Sequence, residues 1–200
     1  HQKVDFLDIN KEIDGWVAAA GTPDYYYNNA YHAYNGKASV GCRFYTEQGN
    51  HIEFISTKLK NKLAPGKLYC FKVFVKLKED CYYAVNALGV YINNSYVDDI
   101  SLIEGLIKPT ISHHGGTILS YKTKWMELSC SYEALGGENT LTLGSFSNAQ
   151  KMQKLALKGS NMEAYYYFDN IQLYEIANAD ECPCTMGKGD PPPAIEIGKS

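Results

Sequence analysis

Apolar and polar positions alternate along much of this chain. Tyr69, Phe71, Val73, Val75 and Leu77 fall on one side of a period of two, with Lys72 and Lys76 on the other. Successive side chains of a strand point to opposite faces, so this run predicts a strand with one buried face and one wet face. After Trp125, Met126, Leu128, Cys130 and Tyr132 alternate in the same way with Glu127, Ser129 and Ser131. Leu141 and Leu143 alternate with threonines, and Tyr165, Tyr167, Asp169, Ile171 and Leu173 share one side of a further strand. Shorter strands are predicted at 52–58 and 86–92. Short helices are predicted at 98–107 and 149–158, the second from Lys151, Lys154 and Lys158 set against Met152, Leu155 and Leu157.

Turn residues separate these runs. Ala64-Pro65-Gly66 precedes the 68–77 strand, and Gly136-Gly137 follows the 125–134 strand, where a short loop predicts a hairpin. Many short strands with Gly and Pro between them predict an all-β sandwich. The composition changes after Ala177. Asn178 to Ser200 contains Cys182-Pro183-Cys184 and Pro191-Pro192-Pro193 and almost no bulky apolar residue, which reads as an extended linker. The expected division is a sandwich over 1–177 and a linker over 178–200.

Composition narrows the function. A formal charge of −3 argues against nucleic acid, whose phosphates call for a basic face. Tyrosine is abundant, 17 among 200 residues, and Arg43 is the single arginine, which weakens any reading built on phosphate clamps or bidentate carboxylate recognition. No apolar run is long enough for a membrane-crossing helix. The chain opens at His1 without the basic and apolar segments of a leader, so a processed or trimmed chain is expected. Cys70 and Cys130 lie in apolar runs and read as buried thiols, Cys182 and Cys184 as a loose pair in the tail; Cys42 and Cys81 stay undecided.

Catalytic patterns are missing: there is no phosphate loop, metalloprotease helix motif or nucleophile elbow. His113-His114-Gly115-Gly116 reads as a glycine-flanked loop, and Asp98-Asp99 as a helix start. No enzyme activity is expected, and no catalytic residue is named. Asp169 falls on the apolar side of its strand, where a carboxylate must find backbone donors or hold a structural Ca²⁺. Both alternatives stay open. Trp16 reads as part of the sandwich cover. Tyr25, Tyr26, Tyr27, Tyr31 and Tyr34 crowd a polar stretch, and Tyr82-Tyr83 form a second pair. Exposed rings of this kind stack on sugars, and the same rings serve to cover a core.

An ordered series of motifs spans residues 16–175. It runs through Trp16, Gly21-Thr22-Pro23-Asp24-Tyr25-Tyr26, Glu53-Phe54-Ile55, Leu63-Ala64-Pro65-Gly66-Lys67-Leu68-Tyr69 and Ala84-Val85-Asn86-Ala87-Leu88-Gly89-Val90-Tyr91. It continues with Pro109-Thr110-Ile111, Trp125, Tyr132-Glu133-Ala134-Leu135-Gly136-Gly137-Glu138, Leu143-Gly144-Ser145-Phe146 and Tyr165-Tyr166-Tyr167-Phe168-Asp169-Asn170-Ile171. The series resembles the jelly-roll modules, similar to carbohydrate-binding modules, of envelope proteins from Bacteroidetes-type bacteria. Such modules often precede an OmpA-like peptidoglycan-binding domain, and the tail from Pro191 resembles the lead-in to one. The family's usual Asn-Pro-Ser-Phe-Glu opening is absent, and Asn170 stands where it often has a second Asp.

The resemblance implies an all-β jelly-roll sandwich of two antiparallel sheets with one or two short helices and an extended tail. It implies a non-catalytic scaffold module at the cell envelope, in the periplasm or at the outer membrane. Its partners would be an outer-membrane or periplasmic protein complex, and peptidoglycan through a downstream domain. The alternative is a glycan-binding module that uses Tyr25, Tyr26, Tyr27, Tyr34, Tyr82 and Tyr83. Asp169 is the candidate ligand for a structural Ca²⁺, the one cofactor considered.

Overall fold

A computed structural model describes residues 7–8, 15–27, 32–49, 51–97, 99–103, 105–113, 117–146 and 152–186. Two antiparallel sheets face each other. The six-stranded sheet runs, edge to edge, β1 (Leu7–Asp8), β3 (Asp24–Tyr27), β4 (Ala38–Thr46), β13 (Glu163–Ile176), β6 (Leu68–Leu77) and β10 (Met126–Glu133). The five-stranded sheet runs β2 (Trp16–Ala20), β5 (Phe54–Lys58), β11 (Thr140–Ser145), β8 (Leu88–Asn93) and β9 (Ile111–Ser112). A two-stranded flap of β7 (Tyr83–Val85) and β12 (Lys154–Ala156) completes the jelly-roll sandwich, together with a short helix, α1 (Asp99–Ile103).

The core forms where period-two faces meet. Phe71, Val73, Val75 and Leu77 of β6 join Cys42 and Phe44 of β4, opposite Ile55, Leu88, Val90, Leu141 and Leu143 of the other sheet. Phe44 lies at the centre, its ring 5.4 Å from Phe168 and 5.2 Å from Tyr166. Tyr166 is wholly buried, so its hydroxyl needs partners: it accepts the Val85 N–H at 2.8 Å and faces the Val85 carbonyl at 3.2 Å.

Several expectations are corrected. The 125–134 and 140–145 strands are not a hairpin, because β10 pairs with β6 and β11 with β5 and β8. The chain crosses between the sheets instead, and the Glu138 carboxylate holds that crossing by accepting the Leu135 and Gly136 N–H groups and the Tyr132 hydroxyl. Residues 154–156 form a strand rather than part of a helix, since pairing with β7 satisfies their backbone. The start of the predicted 149–158 helix lies outside the described residues.

The cysteines are also corrected. Cys70 is bonded to Cys182 and Cys130 to Cys184, leaving Cys42 and Cys81 as buried thiols. Cys70 pairs across to Ser131 and Cys130 to Phe71, so the two sulfurs stand on opposite faces of the β6–β10 pair. Cys182-Pro183-Cys184 therefore wraps round the sheet edge to reach both. Ser129 on that edge donates its N–H to Thr185 Oγ1 at 2.9 Å, and its carbonyl accepts the N–H groups of Thr185 and Met186. Met186 is wholly buried in the core. The compositional break at 177 thus precedes a segment, 178–186, that is strapped to the sandwich and covers an edge that would otherwise offer unpaired backbone groups.

The disulfides span 112 and 54 residues. Replacing Cys182 or Cys184 by Ser is expected to cost about 4 kcal/mol of unfolding free energy each. Denaturant titration under oxidising conditions measures it; midpoints equal to the unaltered chain would refute the strap.

Candidate functional site

The geometry of the site begins with two irregularities in β13. The pairing register with β4 shifts between Ala164 and Tyr165, and that with β6 between Asp169 and Gln172. At the second, Asn170 adopts φ 49, and Asn170 and Ile171 stand against the single β6 residue between Phe74 and Lys72. This extra residue changes the parity of the strand. The predicted common face of residues 165 to 173 is therefore split: Ile171 and Leu173 pack on the core, while Tyr165, Tyr167 and Asp169 point outward. One outward row across four strands reads Asp24, Gly41, Tyr167, Lys76. Gly41 is needed for packing, because a Cβ there would lie 2.1 Å from the Tyr165 hydroxyl.

This outer face is not the wet face the alternation predicts. Residues 32–37 lie over it. The His32 ring sits 4.6 Å from Tyr167 and 5.2 Å from Tyr26. Tyr34 stacks on Phe74 with centroids 3.7 Å apart and planes 12° off parallel. Trp125 stands 6.1 Å from Tyr34 at 69°. Beneath them Lys76 is buried, its ammonium 5.5 Å from the Trp125 ring, 5.4 Å from Tyr167 and 3.2 Å from Glu79. Tyr165 donates to Asp24 at 2.6 Å, and Tyr26 to Tyr165 at 3.2 Å. Burial pushes the hydroxyls of Tyr26, Tyr165 and Tyr167 well up, so all three remain protonated.

Asp169 fastens the overlying segment. Its Oδ2 accepts the N–H groups of Tyr34 at 2.7 Å and Asn35 at 2.9 Å, and its Oδ1 accepts the Asn170 N–H at 2.6 Å. These backbone donors are one of the two alternatives read from the sequence. Among the described residues no group of three or more His, Cys, Asp and Glu comes together as a metal cage.

The six predicted tyrosines fall into three places. Tyr26 and Tyr34 reach the outer face, but Tyr26 is buried and presents no ring to solvent, whereas Tyr34 is 45% exposed. Tyr25 and Tyr27 point to the opposite side of β3, stacked on each other at 6.2 Å and 27°. Tyr82 and Tyr83 lie at the start of β7 in the flap, where Tyr83 meets Tyr45 edge-on at 5.2 Å and donates to Glu47. Tyr31, His114 and Asp98 lie outside the described residues; His113 is buried, with Nε2 2.6 Å from the Thr117 carbonyl. Sequence reasoning missed Trp125, Phe74 and Lys76 as members of the site. Its available signal was Phe74, an aromatic residue between two lysines on the nominally wet side of β6.

The single arginine closes one end of the face. Arg43 donates from Nε to Glu163 at 2.8 Å and from Nη1 to Glu53 at 3.2 Å, while its N–H reaches the other Glu53 oxygen at 2.8 Å. Thr22 donates to Glu53 at 3.4 Å. Burial pushes the Glu53 carboxyl up to about 7, against the pull of the Arg43 N–H and guanidinium.

No protein-family model matches this chain, and no curated protein does. Solved structures do. A cyclase from Fischerella sp. TAU superposes with a TM-score of 0.51 at 10% identity, over 88% of this chain and 92% of its own. The CBM22-1 xylan-binding domain of Paenibacillus barcinonensis Xyn10C gives 0.49 at 18% identity, over 90% and 99%. The C-terminal family 22 carbohydrate binding module of Clostridium thermocellum Xyn10B gives 0.44 at 13%, over 86% and 94%. The likeness is one of fold. At these identities it assigns neither ligand nor activity.

Two outcomes follow from this geometry. Asp169→Ala removes the acceptor of the Tyr34 and Asn35 amides, and is expected to cost about 1–3 kcal/mol locally. Hydrogen exchange at those two amides measures it, and unchanged protection would show that the segment is held otherwise. For Glu53, the raised folded-state pKa means that folding favours the protonated carboxyl. Its contribution is complete below the unfolded value of 4.5 and is lost as pH rises through about 7. The difference in unfolding free energy between the unaltered chain and Glu53→Gln is expected to move against the unaltered chain across that window, by up to about 3 kcal/mol. Denaturant titrations at several pH values read it, and a pH-independent difference would refute it.

Proposed function

We propose that this chain is a non-catalytic carbohydrate-binding module whose sugar-contacting surface is the corner between Tyr34 and Trp125. The observation that carries the reading is that corner itself. Tyr34 is backed on one face by Phe74, so its other face is the one solvent meets; half-buried Trp125 forms a second wall at 69°. The apolar C–H faces of a sugar pack on such rings, and the walls are held before the ligand arrives, which lowers the ordering cost of binding. Hydroxyl partners stand alongside: Glu127, on the strand register opposite Phe74, is paired with Lys72 at 2.9 Å and keeps carboxylate oxygen available to solvent.

Xylan-binding domains are among the structures of similar fold, which makes xylan a sensible first ligand to test; the reading rests on the residues. The envelope-scaffold reading, with a protein partner and peptidoglycan held by an OmpA-like domain, draws on the tail beyond residue 186, outside the described residues. The aromatic corner favours the glycan over it.

Affinity electrophoresis against soluble xylan, β-glucan and peptidoglycan fragments tests the proposal. Tyr34→Ala and Trp125→Ala are each expected to weaken retention by about 1–3 kcal/mol, as truncation of a central aromatic contact does. Tyr27→Ala, which removes an exposed tyrosine on the opposite side of its strand, is expected to leave retention unchanged. Retention on none of the three glycans, or equal retention of all variants, would overturn the assignment.

A further inference from the structure

Asn35-Gly36 is the only Asn-Gly step in the 200 residues, and it sits in the segment that carries Tyr34. Both residues are exposed. Gly36 has φ +70, with nothing within 4 Å of where a Cβ would stand. Among the described residues no hydrogen bond holds the Asn35 carboxamide or the Gly36 N–H. Among the described residues Asn35 is held through its own N–H, which donates to Asp169 Oδ2 at 2.9 Å. The carboxamide carbon and the nitrogen that would attack it are thus uncrowded and unrestrained, while the backbone on the other side is anchored.

We propose that Asn35 is a self-modification site, at which spontaneous deamidation releases the hold of Asp169 on Tyr34. The Gly36 nitrogen, losing its proton to hydroxide, attacks Asn35 Cγ. The N–Cγ bond forms, the Cγ–Nδ2 bond breaks, and Nδ2 leaves as ammonia after taking a proton from water. The cyclic imide then adds water at either carbonyl, opening to aspartate or to isoaspartate. The sum is carboxamide plus water giving carboxylic acid plus ammonia, with no oxidant or reductant. Both products disturb the same contact. The aspartate sets a second negative charge beside Asp169, and like charges at close range repel. The isoaspartate routes the main chain through Cβ, between Asn35 Cα and the Gly36 nitrogen, and leaves a free α-carboxylate on Cα, so it too brings a negative charge up to Asp169. Tyr34 then loses its fixed place on Phe74.

The chemical step is independent of the carbohydrate reading; only its consequence for binding rests on it. The test is incubation of the intact chain at mildly alkaline pH and body temperature over days, followed by peptide mass spectrometry and hydrogen exchange. The peptide containing Asn35 is expected to gain about one mass unit ahead of every other Asn peptide and to split into two isomers. Exchange at the backbone amides of positions 34 and 35 is expected to rise about tenfold, the loss of a charge-assisted hydrogen bond. Asn35→Gln is expected to gain no mass there and to keep its protection, and Asn35→Asp to show the faster exchange from the outset. An Asn35 peptide that stays intact while others deamidate overturns the site. An Asn35→Asp chain with unchanged exchange, together with an aged chain whose amides stay protected, overturns the release. Failure of all glycans to bind leaves both measurements readable and counts only against the function proposed above.

Discussion

β13 lies between β4 and β6 and is buried on both faces from Ala164 to Phe168. A strand in that position has no wet side, so each residue must satisfy whichever face it meets. The bulge after Asp169 resolves the conflict this creates further along. Without the extra residue at Asn170, parity would carry Ile171 and Leu173 to the outside and Tyr174 into the core. With it, apolar side chains return to the core and the carboxylate of Asp169 stands outside, next to Phe74. The site depends on this placement, since Asp169 is the group that holds the segment bearing Tyr34.

Covering the outer face has an energetic consequence. Lys76, Tyr26 and Tyr165 would sit comfortably in water, and buried in this layer they must find partners within the protein. They do so through Glu79, through the Tyr26–Tyr165–Asp24 chain of hydroxyls and carboxylate, and through the ring faces of Trp125 and Tyr167. The result is an aromatic layer held by polar contacts from several strands, with Tyr34 and Trp125 as the parts left partly open. Arg43 does comparable work at the end of the layer, where it joins the carboxylates of Glu53 and Glu163.

The strap from Cys182 to Met186 protects one edge of the same sheet. It covers the β10 edge just beyond Trp125, so the strand that leads out of one wall of the corner is pinned on both of its sides.

The sequence alone determined the strand content, because a period of two in β6, β10 and β11 follows from burial on one face and is local. It also located Asp169, Tyr34 and the tyrosine-rich stretch as residues needing an explanation. Tertiary structure decided the rest. The bulge at Asn170 reassigned faces that a strict alternation had joined, since one inserted residue inverts parity without leaving a sign in composition. The outer face became an aromatic layer because a segment from residues 32–37 covers it, a contact across more than 130 positions that no local pattern encodes. The disulfides were invisible for the same reason: whether Cys70 and Cys182 meet depends on where the chain returns after 112 residues, and a thiol in an apolar run looks alike whether it is free or bonded.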